Sequence, residues 1–365
     1  MKHHNLLVLS ISLLLVFNGC SSQQKKSDRW KDGVVKEEFI YDQAPFASCH
    51  AGTLAETTDG TLVAAWFGAT WESKPDVCIY LSRKVEGKWT APENVANGIQ
   101  NDTLRYPTWN PVLYQVPNGE LQLYYKVGPH PNSWKGWMKI SDDGGVTWSE
   151  AKKLPEGILG PIKDKPVLVN GKLISPSSTE DNGWQVHFEI SDDFGKTWHK
   201  TDPLNGGHST MAIQPTILVR ADGSLQALCR SKNRAILQTW SKDGGETWSA
   251  LTKTSLPQNN SGIDAVTLAD GRQLLVYNHV LPPGEEVKGD RSPLNVAVSD
   301  DGENWKAALV LEDEPKQRFS YPAVIQTSDG LVHILYTWKR KKMKHVVIDP
   351  SKLTLTPIVD GKWPE

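Results

Sequence analysis

The chain has 365 residues, of which 38% are hydrophobic and 22% charged, with a formal net charge of -2. That balance supports a packed core and excludes a general nucleic-acid binder, which carries a basic excess. Four Cys exclude a disulfide scaffold, whereas 15 Trp, about 4% of the chain, are too many to pass without explanation.

The first element in chain order is a targeting segment over residues 1–20. Lys2 and two His precede the apolar run Leu6–Phe17, which is too short to span a bilayer permanently. Gly19-Cys20 follows, then the polar stretch Ser21-Ser22-Gln23-Gln24-Lys25-Lys26. This order resembles a bacterial lipoprotein signal, with Phe17 a loose match to the usual aliphatic residue. An ordinary signal peptide with an incidental Cys is the alternative. The lipoprotein reading makes residues 21–35 a polar tether. It places the mature chain in the bacterial cell envelope, in the periplasm or on the outer-membrane surface, held by a lipid anchor alone. The remaining Cys49, Cys78 and Cys229 are odd in number, so at most one pair can bridge. They read as small buried hydrophobes.

From residue 36 onward the chain is a repeat. The pattern Ser-x-Asp-x-Gly-x-Thr-Trp runs from Ser141 to Trp148, from Ser191 to Trp198 and from Ser241 to Trp248. A shortened copy spans Ser299 to Trp305, and a worn one spans Ser82 to Trp89. Each unit opens a strand near a Pro, as in Asn110-Pro111, Lys165-Pro166, Gln214-Pro215 and Tyr321-Pro322. A hairpin signal follows at Asp59-Gly60, Asn118-Gly119, Asn170-Gly171, Asp222-Gly223, Asp270-Gly271 and Asp329-Gly330. Then come a second strand, a loop, and a third strand that leads into the box. In the box, Asp and Gly suit a tight turn, Ser and Thr cap it, and Trp packs between sheets. Lys344–Asp349 reads as the third strand of a sixth unit without a box. No long helical periodicity occurs. Six units of about 55 residues predict an all-β fold, one six-bladed β-propeller of four-stranded antiparallel blades over residues 36–365.

The boxes resemble the Asp-boxes of sialidases and their relatives, and the resemblance covers nearly the whole mature chain. Such boxes lie on the outer rim and occur outside sialidases too, so function has to be sought at the inner strand ends. Propeller layout gathers the starts of first strands and the ends of second strands at one funnel mouth. The first group includes His50, Arg105, Trp109, Lys163-Asp164-Lys165, Gln214, Asp264 and Tyr321. The second includes Trp71-Glu72, Lys126, Glu180, Arg230, His279 and Lys339-Arg340, and Arg291 begins a third strand. Guanidinium groups bind carboxylates bidentately and aromatic faces stack on sugar rings, so this mouth suits an acidic sugar.

Sialidases hold the substrate carboxylate with three Arg, use a Tyr nucleophile activated by a Glu, and take an Asp as acid/base. The resemblance implies Tyr321 as nucleophile, Arg230 and Arg291 as two of the Arg, and Glu72 as acid, with Asp76 as a neighbouring competitor. Two positions depart: His50 stands where the first Arg is expected, and Gln214 where the activating Glu is expected. Arg105 is the replacement offered for the missing Arg. His50 and His279 join Tyr321, Glu72 and Gln214 as candidate catalytic groups, since His titrates near neutrality. Arg230, Arg291, Arg105, Asp264, Trp71, Trp109 and Lys126 are the candidate substrate-binding set. His187, Glu189 and the Lys163-Asp164-Lys165 cluster read as structural. No metal-ligand spacing appears, so neither metal nor cofactor is expected.

The expected function is an exo-acting glycoside hydrolase that removes an acidic sugar from a glycan, working as a monomer. A polysaccharide lyase or non-sialic glycosidase acting at a uronic acid is the first alternative, and the two departures favour it over an unmodified sialidase. A non-catalytic glycan-binding propeller is the second. The Trp excess divides in the same way. Trp89, Trp148, Trp198, Trp248 and Trp305 are box residues, and Trp66, Trp240 and Trp338 are core. Trp30 and Trp363 lie near the ends of the mature chain. Trp71, Trp109, Trp134, Trp137 and Trp184 remain to rim the funnel.

Overall fold

The computed structural model describes Met1 and residues 29–365, so Cys20 and the segment around it lie outside the described residues. Six antiparallel sheets follow one another along the chain. Blade 1 is built on Ser48–Glu56, Leu62–Ala69 and Cys78–Val85; Lys88–Trp89 and Glu93–Ala96 both pair with its third strand. Blade 2 comprises Thr108–Gln115, Leu121–Val127, Lys135–Ser141 and Lys152–Lys153. Blade 3 comprises Val167–Val169, Lys172–Thr179, Gln185–Ser191 and His199–Lys200. Blade 4 comprises Ala212–Val219, Leu225–Ser231, Ala235–Ser241 and Thr252–Pro257. Blade 5 comprises Asp264–Thr267, Gln273–Tyr277, Leu294–Ser299 and Trp305–Glu312, with Thr356–Pro357 added outside. Blade 6 takes Phe319–Gln326, Val332–Trp338 and Lys342–Ile348 from the C-terminal region and Val34–Phe39 from the N-terminal region. The expected six-bladed propeller is what forms. Its ring is closed by the N-terminal strand, with Glu38 opposite His345.

The second strands explain why periodicity is weak here. Every residue of Leu62–Ala69 and of Leu121–Val127 is buried, because a neighbouring blade covers each face. The first reads as a continuous apolar run, and the second buries Gln122 and Lys126 among its apolar residues, so neither shows simple in–out alternation. Each Asp-Gly turn puts its glycine at a positive φ, for example 81° at Gly60 and 83° at Gly330, where a Cβ is disfavoured.

The boxes fold as one device. Ser241 Oγ donates to Asp243 Oδ1 at 2.9 Å and accepts from Gly245 N at 2.9 Å. Asp243 also accepts from Thr247 N at 3.0 Å and from the Thr247 hydroxyl. The same set recurs at Ser191–Thr197 and Ser141–Thr147. Bonds from Thr247 hold the Asp243 carboxyl down at about 2. The box Trp reaches the preceding blade: Trp248 stacks on Phe188 at 3.8 Å between centroids, and Trp198 meets Tyr124 edge-on at 6.2 Å. The box is both a turn and a clamp between blades.

A second device sits on the inner strands. In blades 1, 2, 4 and 6 the strand pairing slips near its start. Within each slip lies a residue of positive φ: Ala51 (54°), Asn110 (35°), Gln214 (52°) and Tyr321 (55°). A bulge of this kind re-aims a side chain out of the strand's alternation. Three of the four precede Pro, so Pro111, Pro215 and Pro322 sit at bulges, whereas Pro166 of blade 3 does not. Tyr321 and Gln214 are aimed by this distortion. Non-glycine residues in that region carry strain and concentrate at functional sites.

Candidate active site

The bulges of blades 4 and 6 bring Gln214 and Tyr321 together. Gln214 Nε2 donates to Tyr321 Oη at 3.3 Å, and Arg230 Nη1 donates to the same oxygen at 2.6 Å. Arg230 also donates to Gln214 Oε1 at 3.1 Å and, through Nε, to Asn260 Oδ1 at 3.0 Å. Arg291 donates to Ser320 Oγ at 3.2 Å, and its Cζ lies 5.5 Å from the centre of the Tyr321 ring. His50 packs against that ring, 4.1 Å between centroids, and its Nδ1 meets Thr337 Oγ1 at 2.9 Å. Tyr321 is therefore enclosed by blades 1, 4, 5 and 6.

A third guanidinium completes the group. Arg340 follows the second strand of blade 6 and is 7% exposed. It pairs with Glu72 of blade 1, and its Cζ lies 5.4 Å from the Trp71 ring centre. Its carbonyl accepts from Cys49 N at 3.0 Å, which docks the turn against His50's strand. Sequence reasoning put Arg340 at the mouth but not in the site. The signal was approximate positional equivalence: Arg340 stands two residues past its second strand, and Arg230 stands at the end of the second strand of blade 4.

Beneath Tyr321 lies a buried cation. Lys163 Nζ is 5.8 Å from the ring centre and donates to Asp164 Oδ1, to the Ile263 carbonyl at 2.7 Å and to the Pro322 carbonyl at 2.9 Å. These bonds tie blade 3 to blade 6 at the residue after Tyr321. Burial raises the Asp164 carboxyl well above its usual range, against the pull of Lys163. Burial, together with Arg340, Arg291, Arg230 and Lys163, lowers His50 well below the usual 6.5. His50 is thus a neutral ring at neutral pH. Burial pushes Arg291 down to about 10, so it remains a cation there. On the rim, Glu180 lies beside Trp184 and Arg230. Burial raises its carboxyl, which Arg230 and a Trp184 hydrogen bond partly offset. The Arg230 and Lys232 cations sit 4.9 and 4.1 Å from the Trp184 ring centre.

Five of the residues expected in the site lie elsewhere. Arg105 does not replace the missing Arg: its Nη2 donates to Cys78 Sγ at 2.8 Å and to the Asp76 carbonyl at 3.2 Å, outside the Tyr321 cluster. Lys126 is wholly buried, bonds the Pro161 carbonyl, and is lowered to about 7 by burial. Asp264 is a buried joint between blades, accepting from Thr216 Oγ1 and Val324 N at 2.8 Å each and pairing with Lys165 at 3.0 Å. His279 is held between Tyr277 Oη at 2.5 Å and the Gly361 carbonyl at 3.0 Å. Trp109 is 4% exposed, donates to the Gly128 carbonyl at 2.8 Å and packs on Trp134. Of the unassigned tryptophans, Trp71 and Trp184 flank the site. Glu189 is structural, accepting from Leu159 N and Gly160 N, and His187 bonds it at 3.0 Å. Cys49, Cys78 and Cys229 are free and buried. Among the described residues no three His, Cys, Asp or Glu side chains converge as metal ligands.

The propeller and its boxes define the class, and comparison with known proteins agrees. The family model for a BNR repeat-like domain matches residues 60–334, and the chain belongs to that family, as a sialidase-like BNR propeller. A curated relative, an anhydrosialidase of Macrobdella decora, is 26% identical over 234 residues, which cover 56% of this chain but only 30% of that longer protein. The NanB sialidase of Streptococcus pneumoniae superposes with a TM-score of 0.69 at 14% identity, over 87% of this chain and 71% of that one. An α-L-arabinanase of Penicillium chrysogenum superposes with a TM-score of 0.64 at 14% identity, over 88% and 99%. The last two share the fold at identities too low to carry a substrate with them.

Proposed function

We propose that this chain is a glycosidase that removes a terminal acidic sugar from a glycan, with Tyr321 at the reacting centre. The observation that carries the reading is the gathering of Arg230, Arg291 and Arg340 about one strained, buried Tyr. Three guanidinium groups in a cleft are matched to a carboxylate, which they hold through charge-assisted bonds. A neutral phenol then approaches the anomeric carbon without the repulsion that a carboxylate nucleophile would meet. Tyr321 Oη forms the new bond to that carbon while the glycosidic oxygen leaves, and the phenolic proton passes to the neutral imidazole of His50 packed against the ring. The donors from Arg230 and Gln214 stabilise negative charge developing on Oη. The leaving oxygen takes a proton from a rim carboxyl. Glu180 suits that role because burial makes it hold its proton more tightly, whereas Glu72 is drawn into a charge pair with Arg340. Water then cleaves the sugar–Tyr321 bond, giving its proton to the Glu180 carboxylate while His50 returns the phenolic proton to Oη. The likeness to sialidases at low identity supports the reaction class only; the sugar is read from the charge of the site.

One feature favours a second reading. Gln214 cannot take the phenolic proton, and the neutral imidazole of His50 is the base that touches Tyr321. That pairing also suits proton abstraction beside a carboxylate, which leads to elimination at a uronic acid. One experiment separates these readings. The purified chain is given fluorogenic sialosides and a panel of acidic glycans, and sugar release and ultraviolet absorbance are followed together. Release without new absorbance, lost in Tyr321→Phe, is the expected result. New absorbance would mark a lyase. Binding without either signal would mark a non-catalytic receptor and overturn the proposal.

A further inference from the structure

A cavity of about 590 Å³ opens beside the site and shares Arg291 with it. One wall is the segment before Arg291 in blade 5, and the other is the segment before the first strand of blade 6. Both walls are tied down. The Glu286 carbonyl accepts from Arg234 Nη1 at 2.6 Å and Gly289 N donates to the Asn259 carbonyl at 3.1 Å. On the facing side, Phe319 N donates to the Arg291 carbonyl at 2.9 Å and Lys339 N to the Arg318 carbonyl at 2.7 Å. The cavity is therefore pre-formed, as ligand sites usually are.

Its lining is unbalanced in charge. Lys288, Lys316 and Arg318 join Arg291 as cations, against the carboxylates of Glu286 and Asp290. None of these cations lies within 4.0 Å of a carboxylate in any ion pair among the described residues. Lys339 nearby does find a partner, in Glu314. Leu281, 59% exposed, adds an apolar patch at the edge. Unneutralised cations around a cavity with an apolar edge suit a sugar ring bearing its own anionic group.

We infer that this cavity is a second subsite, which takes a carboxylate or sulfate on the sugar adjoining the one held at Tyr321. The inference rests on the acidic-sugar reading above and deepens it: the substrate is a glycan with anionic groups on neighbouring residues. Arg291 then touches both sugars and sets their spacing.

The test is binding, measured by calorimetry on the full chain at fixed salt. Two matched probe pairs are used: disialic acid against 3′-sialyllactose, and digalacturonic acid against an aldobiouronic acid with one carboxylate. In at least one pair, the probe with two carboxylates should bind about tenfold more tightly. The surface variant K288A/K316A/R318A should erase that gain while leaving the single-carboxylate probe within about twofold. Equal affinity within both pairs, an equal loss on both members, or no binding at all would overturn the inference. A separate outcome bears on the site itself. If Arg230→Ala leaves every probe bound as before, the acidic-sugar site at Tyr321 fails, whatever the second cavity does.

Discussion

Arg340 reaches the site through a tight turn in which both Lys339 (φ 51°) and Arg340 (φ 62°) are left-handed. Such turns favour Asn-Gly, and each unfavourable residue costs of order 1–3 kcal/mol. That strain is offset by the Glu72 pair and by the bond from Cys49 N. The arrangement supplies from blade 6 the cation that blade 1 lacks, since His50 fills the place where an Arg was expected. Two substitutions separate Arg340 from the candidate it supplants. Arg340→Ala should lower kcat/KM on an acidic glycoside by about 10²-fold, the effect of losing a buried charge-assisted contact. Arg105→Ala should change it by less than about threefold, because Arg105 bonds only to blade 1 atoms. Steady-state kinetics of the two variants, with melting curves to confirm folding, decide the matter; a larger loss in Arg105→Ala would reverse the assignment. Tyr321 and Arg230 were legible in the sequence because strand order sends those positions to the axis, and Arg291 through the resemblance to sialidases. Arg340 was not, since Lys339-Arg340-Lys341-Lys342 has the composition of a solvated face.

The strands and turns of the blades were legible for a related reason: they repeat, and each copy obeys the same local chemistry. The box turn is held by bonds within eight residues, so its sequence carries its geometry. Asp243 shows what one such cap contributes. It satisfies Thr247 N and the Thr247 hydroxyl in an exposed turn. Asp243→Ala should therefore destabilise the fold by about 1 kcal/mol, the usual cost of a lost cap. In a domain of this size that is a fall in Tm of about 1–2 °C. Activity should persist, because the strand Ala235–Ser241 separates the box from Arg230 by about 20 Å. Calorimetry and an activity assay on the same sample check both halves, and loss of activity without loss of stability would contradict this division. The bulges were only half visible. Pro marked the inner strands of blades 2, 4 and 6, but the left-handed residue before each appears only in the paired strands.

Four histidines link the molecule's stability to pH. Burial lowers His279 and His333 to about 4, and it lowers His345 and His50 as well. His333 and His345 stack at the ring closure, 2.9 Å between Nδ1 and Nε2, and His345 Nδ1 meets Glu38 of the N-terminal strand at 2.9 Å. In the unfolded chain these imidazoles titrate near 6.5. Between about 4 and 6.5 the unfolded state therefore binds more protons than the folded one. The histidine contribution is complete above about 6.5 and is lost as the pH falls toward 4. The Tm should drop steadily as the pH falls from 6.5 to 4.5, with the closure of blade 6 among the first regions to exchange amide hydrogens. A flat Tm over that range would show that these histidines are not held neutral by the fold.

By itself the sequence determined the all-β class, the number of blades and the turns between strands, because those depend on contacts a few residues apart, repeated six times. It also sent the starts of first strands and the ends of second strands toward one mouth, although Arg105, Lys126, Asp264, His279 and Trp109, expected there, bond elsewhere. The tertiary structure alone decided which axial side chains meet. Tyr321, Gln214, Arg230, Arg291, Arg340 and His50 are as many as 290 residues apart and come from four blades. Their meeting depends on the bulges, on Lys163 bonding across the axis, and on closure by a strand from the other end of the chain. Those are long-range constraints, and no local pattern of residues encodes them.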